Sequence, residues 1–144
     1  MFLKFAFKSG YEREPRLLMI NVLLVDDQES VRRGLRMRLA LEEDLQVVGE
    51  AADGRKALDL IRELKPDVVI MDLEMPGMDG ISATAALHDM TPQVKVVMLS
   101  LHDNSFLRDR ARIAGATAFV EKREGAGRLL NEIRNACDIK RRKN

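Results

Sequence analysis

Five short apolar runs, each followed by a stretch whose apolar residues recur about every 3.6 positions, limit most strongly what this chain can fold into. The runs are Ile20–Val25 and residues 45–50, 68–71, 94–99 and 118–120, mostly Val, Ile and Leu. The stretches between them put Val31, Leu35 and Leu39 on one helical face, then Ala57, Leu58, Ile61 and Leu64. Two more faces carry Leu107, Ala111 and Ala114, and Leu129, Leu130, Ile133, Ala136 and Cys137. A further, Ala-rich helix is predicted over 81–87. Strands and helices alternating at this length require parallel strands, right-handed crossovers and helices on both faces of the sheet. The runs lack polar alternation, as strands buried on both sides do. The expectation is an α/β domain, a (βα)5 doubly wound parallel five-stranded sheet.

Its 144 residues suit one domain. The 24 basic and 23 acidic residues give a net charge of +1, but unevenly spread. Residues 1–18 carry +2 and residues 138–144 carry +3, leaving −4 on residues 19–137. An acidic body disfavours direct nucleic-acid binding. So does the scarcity of aromatics, since only Phe106 and Phe119 lie beyond Tyr11. The lone Cys137 excludes an internal disulfide, and no apolar run approaches the roughly 18 residues of a membrane span. A reduced, cytoplasmic protein without membrane association is expected. Residues 1–18 read as a disordered leader, 19–137 as the domain, and 138–144 as a basic tail: an interdomain linker, a nucleic-acid-contacting tail or, the reading favoured, the solvated end of a helix favourable to its dipole.

In an open α/β sheet, ligands bind beyond the carboxyl ends of the strands. There the sequence sets Asp26 and Asp27 after the first run, Asp72 after the third, Ser100 after the fourth and Lys122 after the fifth. Singly, such residues read as turn formers or helix caps. Clustered, three carboxylates would repel one another and raise each other's pKa unless a cation joined them. Magnesium, which takes one or two carboxylates plus phosphoryl oxygens, suits this inventory. The arrangement resembles phosphoryl-transfer machinery. It lacks a glycine-rich phosphate cradle, because Asp26-Asp27-Gln28-Glu29-Ser30 follows the first strand. The phosphoryl group is therefore expected to end on the protein itself, with Asp72 as the nucleophile.

Four strings in order, LLVDD at 23–27, DVVIMDLEMPGMDG at 67–80, VVMLS at 96–100 and AFVEK at 118–122, resemble the receiver domain of two-component response regulators. GEAADGRKAL and LSLHDN are similar to its NarL/FixJ-type branch. The resemblance implies a flavodoxin-like, CheY-like fold with strand order 2-1-3-4-5. It implies that Asp72 accepts a phosphoryl group from a sensor histidine kinase or phosphotransfer protein. Magnesium would be held by Asp27, Asp72 and the backbone carbonyl of Glu74, with Asp26 acting through water. Lys122 would pair with Asp72 and then with the phosphoryl oxygens. Ser100 would swing to a phosphoryl oxygen and Phe119 would turn inward, remodelling the face of the fourth helix, fifth strand and fifth helix for a downstream partner or a homodimer. Glu74 and His102, each two residues beyond a site residue, would set the lifetime of the phosphorylated state. Pro76 and Gly80 would shape the loop after Asp72, Gly80 by permitting a sharp entry into the third helix.

Departures from the family pattern are Arg123 where proline is common, the bulky Leu101 beside Ser100, and Glu121 before the lysine. Such a domain is a phosphoacceptor that assists its own phosphorylation and dephosphorylation rather than an enzyme. Two other readings compete: a phosphatase forming an aspartyl intermediate, which lacks its D-x-D motif here, and a nucleotide-holding flavodoxin relative, disfavoured by the acidic first loop. A receiver accompanied by a DNA-binding domain would regulate transcription; alone, it would act through what it binds.

Overall fold

The computed structural model describes residues 19–102 and 104–143, with side chains through residue 138. Strands β1 (Ile20–Val25), β2 (Leu45–Ala51), β3 (Val68–Asp72), β4 (Lys95–Ser100) and β5 (Ala118–Glu121) alternate with helices. These are α1 (Glu29–Leu39), α2 (Gly54–Leu64), α3 (Gly80–Met90), α4 (Ser105–Ala114) and α5 (Ala126–Lys143). A 3₁₀ turn, Lys122–Glu124, joins β5 to α5. The strands form one sheet in the order β2-β1-β3-β4-β5, every neighbouring pair parallel. This is the doubly wound topology expected, with β3 at its centre.

Alternate residues of the apolar strands feed two separate cores. Leu23, Val25, Val69, Met71, Val96 and Met98 face one side, against Ala57 and Ile61 of α2, Ala83 and Leu87 of α3 and Ala111 of α4. Val22, Leu24, Val68, Ile70, Val97 and Leu99 face the other, against Leu39 of α1 and Leu129, Leu130, Ile133, Ala136 and Cys137 of α5. A period of two is thus present inside runs that look uniform, because both faces are covered. The β1–β2 register shifts between Val22 and Leu23, where Val22 pairs with Val47 but Leu23 with Gly49. Side chains begin three of the helices: Asp53, Asp79 and Asn104 each accept a hydrogen bond from the backbone N–H three residues on.

Three details differ from the sequence expectation. Asp72 and Ser100 are the last residues of their strands rather than the first beyond them, since Asp72 still pairs with Leu99 and Ser100 with Glu121. The third helix is longer than 81–87, because Asp79 caps it and Thr91 ends it. Gly80 is required not for a sharp turn but for close approach: a Cβ there would lie 2.2 Å from the Asp72 carbonyl oxygen. The leader, residues 1–18, lies outside the described residues. Of the basic tail, the backbone continues α5 to Lys143. No helix among the described residues is long and apolar enough to cross a membrane.

Candidate functional site

Four strand ends meet at one edge of the sheet and bring together all five residues read from the sequence. Asp26, Asp72 and Ser100 are buried and Asp27 is exposed. One carboxylate oxygen from each of Asp26, Asp27 and Asp72 lies within 4.8 Å of the other two. Lys122 Nζ donates to Asp26 Oδ2 at 3.1 Å and stands 3.1 Å from Asp72 Oδ1.

The three carboxylates are not equivalent. Asp26 is fully engaged: its backbone N–H donates to the Ala51 carbonyl, its Oδ1 accepts from the Gln28 N–H at 2.9 Å, and its Oδ2 accepts from Lys122. Asp72, only 2% exposed, is not. Its Oδ1 is buried and its one close partner is the Lys122 ammonium at 3.1 Å, an ion pair in poor hydrogen-bond alignment. Burial raises the Asp72 pKa from 3.8 to about 6, and the Asp26 charge adds to the rise. Lys122 and the Glu74 backbone N–H offset only part of it. Burial works against the Lys122 ammonium as well, but Asp72 and Asp26 outweigh it and hold Lys122 above the ordinary lysine range. The edge is therefore short of positive charge. A buried, incompletely satisfied carboxylate oxygen beside an exposed second carboxylate is a hard oxygen donor set, which fits a divalent cation such as magnesium.

Around this centre, Ser100 Oγ accepts from the His102 N–H at 3.1 Å. His102 Nε2 and Glu74 Oε2 are 3.6 Å apart, so the two residues expected to act together do meet, both largely exposed. Phe119 is buried in the core, and the Arg108 guanidinium of α4 lies 4.7 Å from its ring centroid. Arg32 is the neighbour that sequence reasoning missed. From α1 its Nη1 donates to the Asp26 backbone carbonyl at 2.6 Å and its Nε to Glu50 at 3.0 Å. Arg36 holds the other Glu50 oxygen. Burial acts against the Glu50 charge, but the two guanidiniums keep its pKa below the usual carboxylate value.

Residues 22–134 match the response regulator receiver domain family. The chain belongs to that family. Among curated relatives, this receiver is 44% identical over 116 residues to the response regulator GacA of Pseudomonas aeruginosa, covering 81% of this chain and 54% of the relative. It is 41% identical over 125 residues to the response regulator protein VraR of Staphylococcus epidermidis, covering 84% and 58%. The receiver thus spans a little over half the length of these curated relatives. Among solved structures, the response regulator domain of Thermotoga maritima CheB matches with TM-score 0.79 at 35% identity, covering 83% of this chain and 97% of that one. The signal receiver domain of the putative response regulator NarL from Mycobacterium tuberculosis matches with TM-score 0.75 at 32% identity, covering 85% and 97%. A DNA-binding response regulator of the LuxR family from Staphylococcus aureus matches with TM-score 0.77 at 25% identity, covering 82% and 98%. Receivers serve two-component signalling, are phosphorylated on an aspartate, bind magnesium at an acidic pocket and meet histidine kinases or phosphotransfer proteins. As a family they are response regulators rather than conventional enzymes. Here the acidic cluster is Asp26, Asp27 and Asp72.

Proposed function

We propose that Asp72 is the phosphoacceptor of this receiver and that its phosphorylation switches a binding surface. The observation that carries the proposal is the buried Asp72 carboxylate, ion-paired through one oxygen with the Lys122 ammonium and close to two further carboxylates. In the step itself, an Asp72 carboxylate oxygen attacks the phosphorus of a phosphohistidine on a sensor kinase or phosphotransfer protein. The N–P bond breaks, its electron pair returns to the imidazole, and an acyl phosphate remains. Lys122 forms no bond in this step but neutralises the phosphoryl oxygens.

Asp27, Asp72 and the Glu74 backbone carbonyl would hold Mg2+, which supplies charge neutralisation for the transferring group. Asp26, whose two oxygens are already taken, would contact it through water. The Ser100 hydroxyl would donate to a phosphoryl oxygen. Phe119 would answer that movement, and because Arg108 lies over its ring, α4 would respond with it. The α4–β5–α5 face is accordingly the proposed surface for a downstream protein or a second copy. Glu74 and His102, facing each other across the mouth of the site, are proposed to govern access of the hydrolytic water. In a longer cytoplasmic chain bearing a DNA-binding domain, the output would be regulation of transcription; one similar structure is of a DNA-binding response regulator of the LuxR family.

The test is incubation with acetyl phosphate and Mg2+ followed by intact-mass measurement. One phosphoryl group is expected on the wild type, dependent on Mg2+ and lost in Asp72→Asn. Label that survives Asp72→Asn, or none on a wild type that binds Mg2+, overturns the assignment.

A further inference from the structure

The contacts of Arg32 extend the site to a residue outside the acidic cluster. Its side chain is 14% exposed, and it spans two elements. One guanidinium nitrogen binds the Asp26 carbonyl, at the carboxyl end of β1, and another binds Glu50 on the edge strand β2. Glu50 is in turn fixed by Arg36, one turn further along α1. A charge-assisted bond of 2.6 Å to a carbonyl is a strong one, and this carbonyl belongs to the peptide that joins Asp26 to Asp27.

That peptide decides where Asp27 points. Asp26 is fixed at its N–H by Ala51 and at both side-chain oxygens by Gln28 and Lys122. The remaining freedom is rotation of the Asp26–Asp27 peptide plane, and Arg32 is the group that binds its carbonyl. Asp27 is exposed, so burial does not fix it. We infer that Arg32 is a positioning residue: by anchoring the Asp26 carbonyl it aims the Asp27 carboxylate into the cation site. This inference rests on the proposed cation site at Asp27 and Asp72. Partners one step removed from a metal ligand typically change affinity by about 10- to 100-fold when lost.

The experiment measures Mg2+ affinity by titration calorimetry on the full chain without phosphodonor, in wild type, Arg32→Gln, Arg32→Lys, Glu50→Gln and Asp27→Asn. Arg32→Gln is expected to weaken Mg2+ binding by about tenfold or more. Glu50→Gln removes the ion pair but leaves the carbonyl anchor, so its affinity is expected to stay within about threefold of wild type. A residue that only supports the fold would make the two variants alike, and equal losses overturn the inference. Should Arg32→Gln not fold, Arg32→Lys decides, because its single ammonium, drawn to the Glu50 carboxylate, leaves the Asp26 carbonyl without its donor. Its binding is expected to weaken by about threefold or more, and wild-type affinity there overturns the inference. Loss of binding in Asp27→Asn with none in the Arg32 variants defeats this inference alone. A wild type that binds no Mg2+ defeats the cation site and this inference together.

Discussion

Replacing Asp72 by asparagine should make the protein more stable, and the pH at which this happens follows from the site. The native carboxyl, buried and beside Asp26, has its pKa raised from 3.8 to about 6. The folded chain therefore holds this proton more tightly than the unfolded chain does. Stability is fully present below the unfolded value and is lost as pH rises through about 4 to about 6. At about 1.4 kcal/mol per pH unit, a rise of about two units costs the wild type ~3 kcal/mol at neutral pH. The amide of Asp72→Asn cannot ionise and avoids that cost while filling nearly the same space. With no divalent cation present, urea unfolding followed by far-UV circular dichroism should find Asp72→Asn more stable by ~3 kcal/mol near pH 7.5. Near pH 4 the gap should shrink to ~0.5 kcal/mol, since the unfolded wild type is then only about half ionised at this position. Magnesium should close the gap at pH 7.5 from the wild-type side, by ~2.7 kcal/mol at a hundredfold excess over its dissociation constant. A variant no more stable than wild type at pH 7.5, or more stable by the same margin at pH 4, would refute the electrostatic reading of this aspartate.

Three further outcomes follow from other contacts. Gly80→Ala should lose roughly 1–3 kcal/mol or more in the same urea assay, because its methyl group must displace backbone at Asp72 and Leu73 rather than a flexible side chain; an unfolding midpoint like wild type would refute it. Glu74→Ala and His102→Ala should each change the decay of phosphorylated protein, measured by loss of the phosphoryl mass over time, and unchanged decay in both defeats their assigned role. Ile133→Ala, at a fully buried position of α5, should cost about 2–5 kcal/mol and leave Mg2+ affinity unchanged, since that core lies away from the carboxylates.

The fold was legible because the strands and helices carry different apolar periods and because five runs in alternation admit few topologies. The acidic edge was legible because Asp26, Asp27, Asp72, Ser100 and Lys122 each stand at a strand end, and a parallel sheet gathers such ends. Arg32 was not, for a physical reason: it binds a backbone carbonyl, and a backbone group leaves no residue-type signature to pair with. Gly80 was visible as a glycine, but its cause was not, since turn and close approach call for the same residue. The strand boundaries at Asp72 and Ser100 were misplaced by one because ladder pairing continues through a polar residue as readily as through an apolar one.

Asp72 closes the central strand of the sheet, paired with Leu99 in the ladder, with Gly80 so close to its carbonyl that no side chain fits between them. Such a residue has nowhere to go. Whatever arrives on its carboxylate must be accommodated by the surroundings, and the loosest of these, Asp27, Glu74 and His102, are exposed. The proposed phosphoacceptor would thus keep no record of its own state in its position. Any record would be written in its neighbours, and a reporter group meant to follow signalling belongs on the loops after β1, β3 and β4, not on the strand that bears the proposed phosphoacceptor.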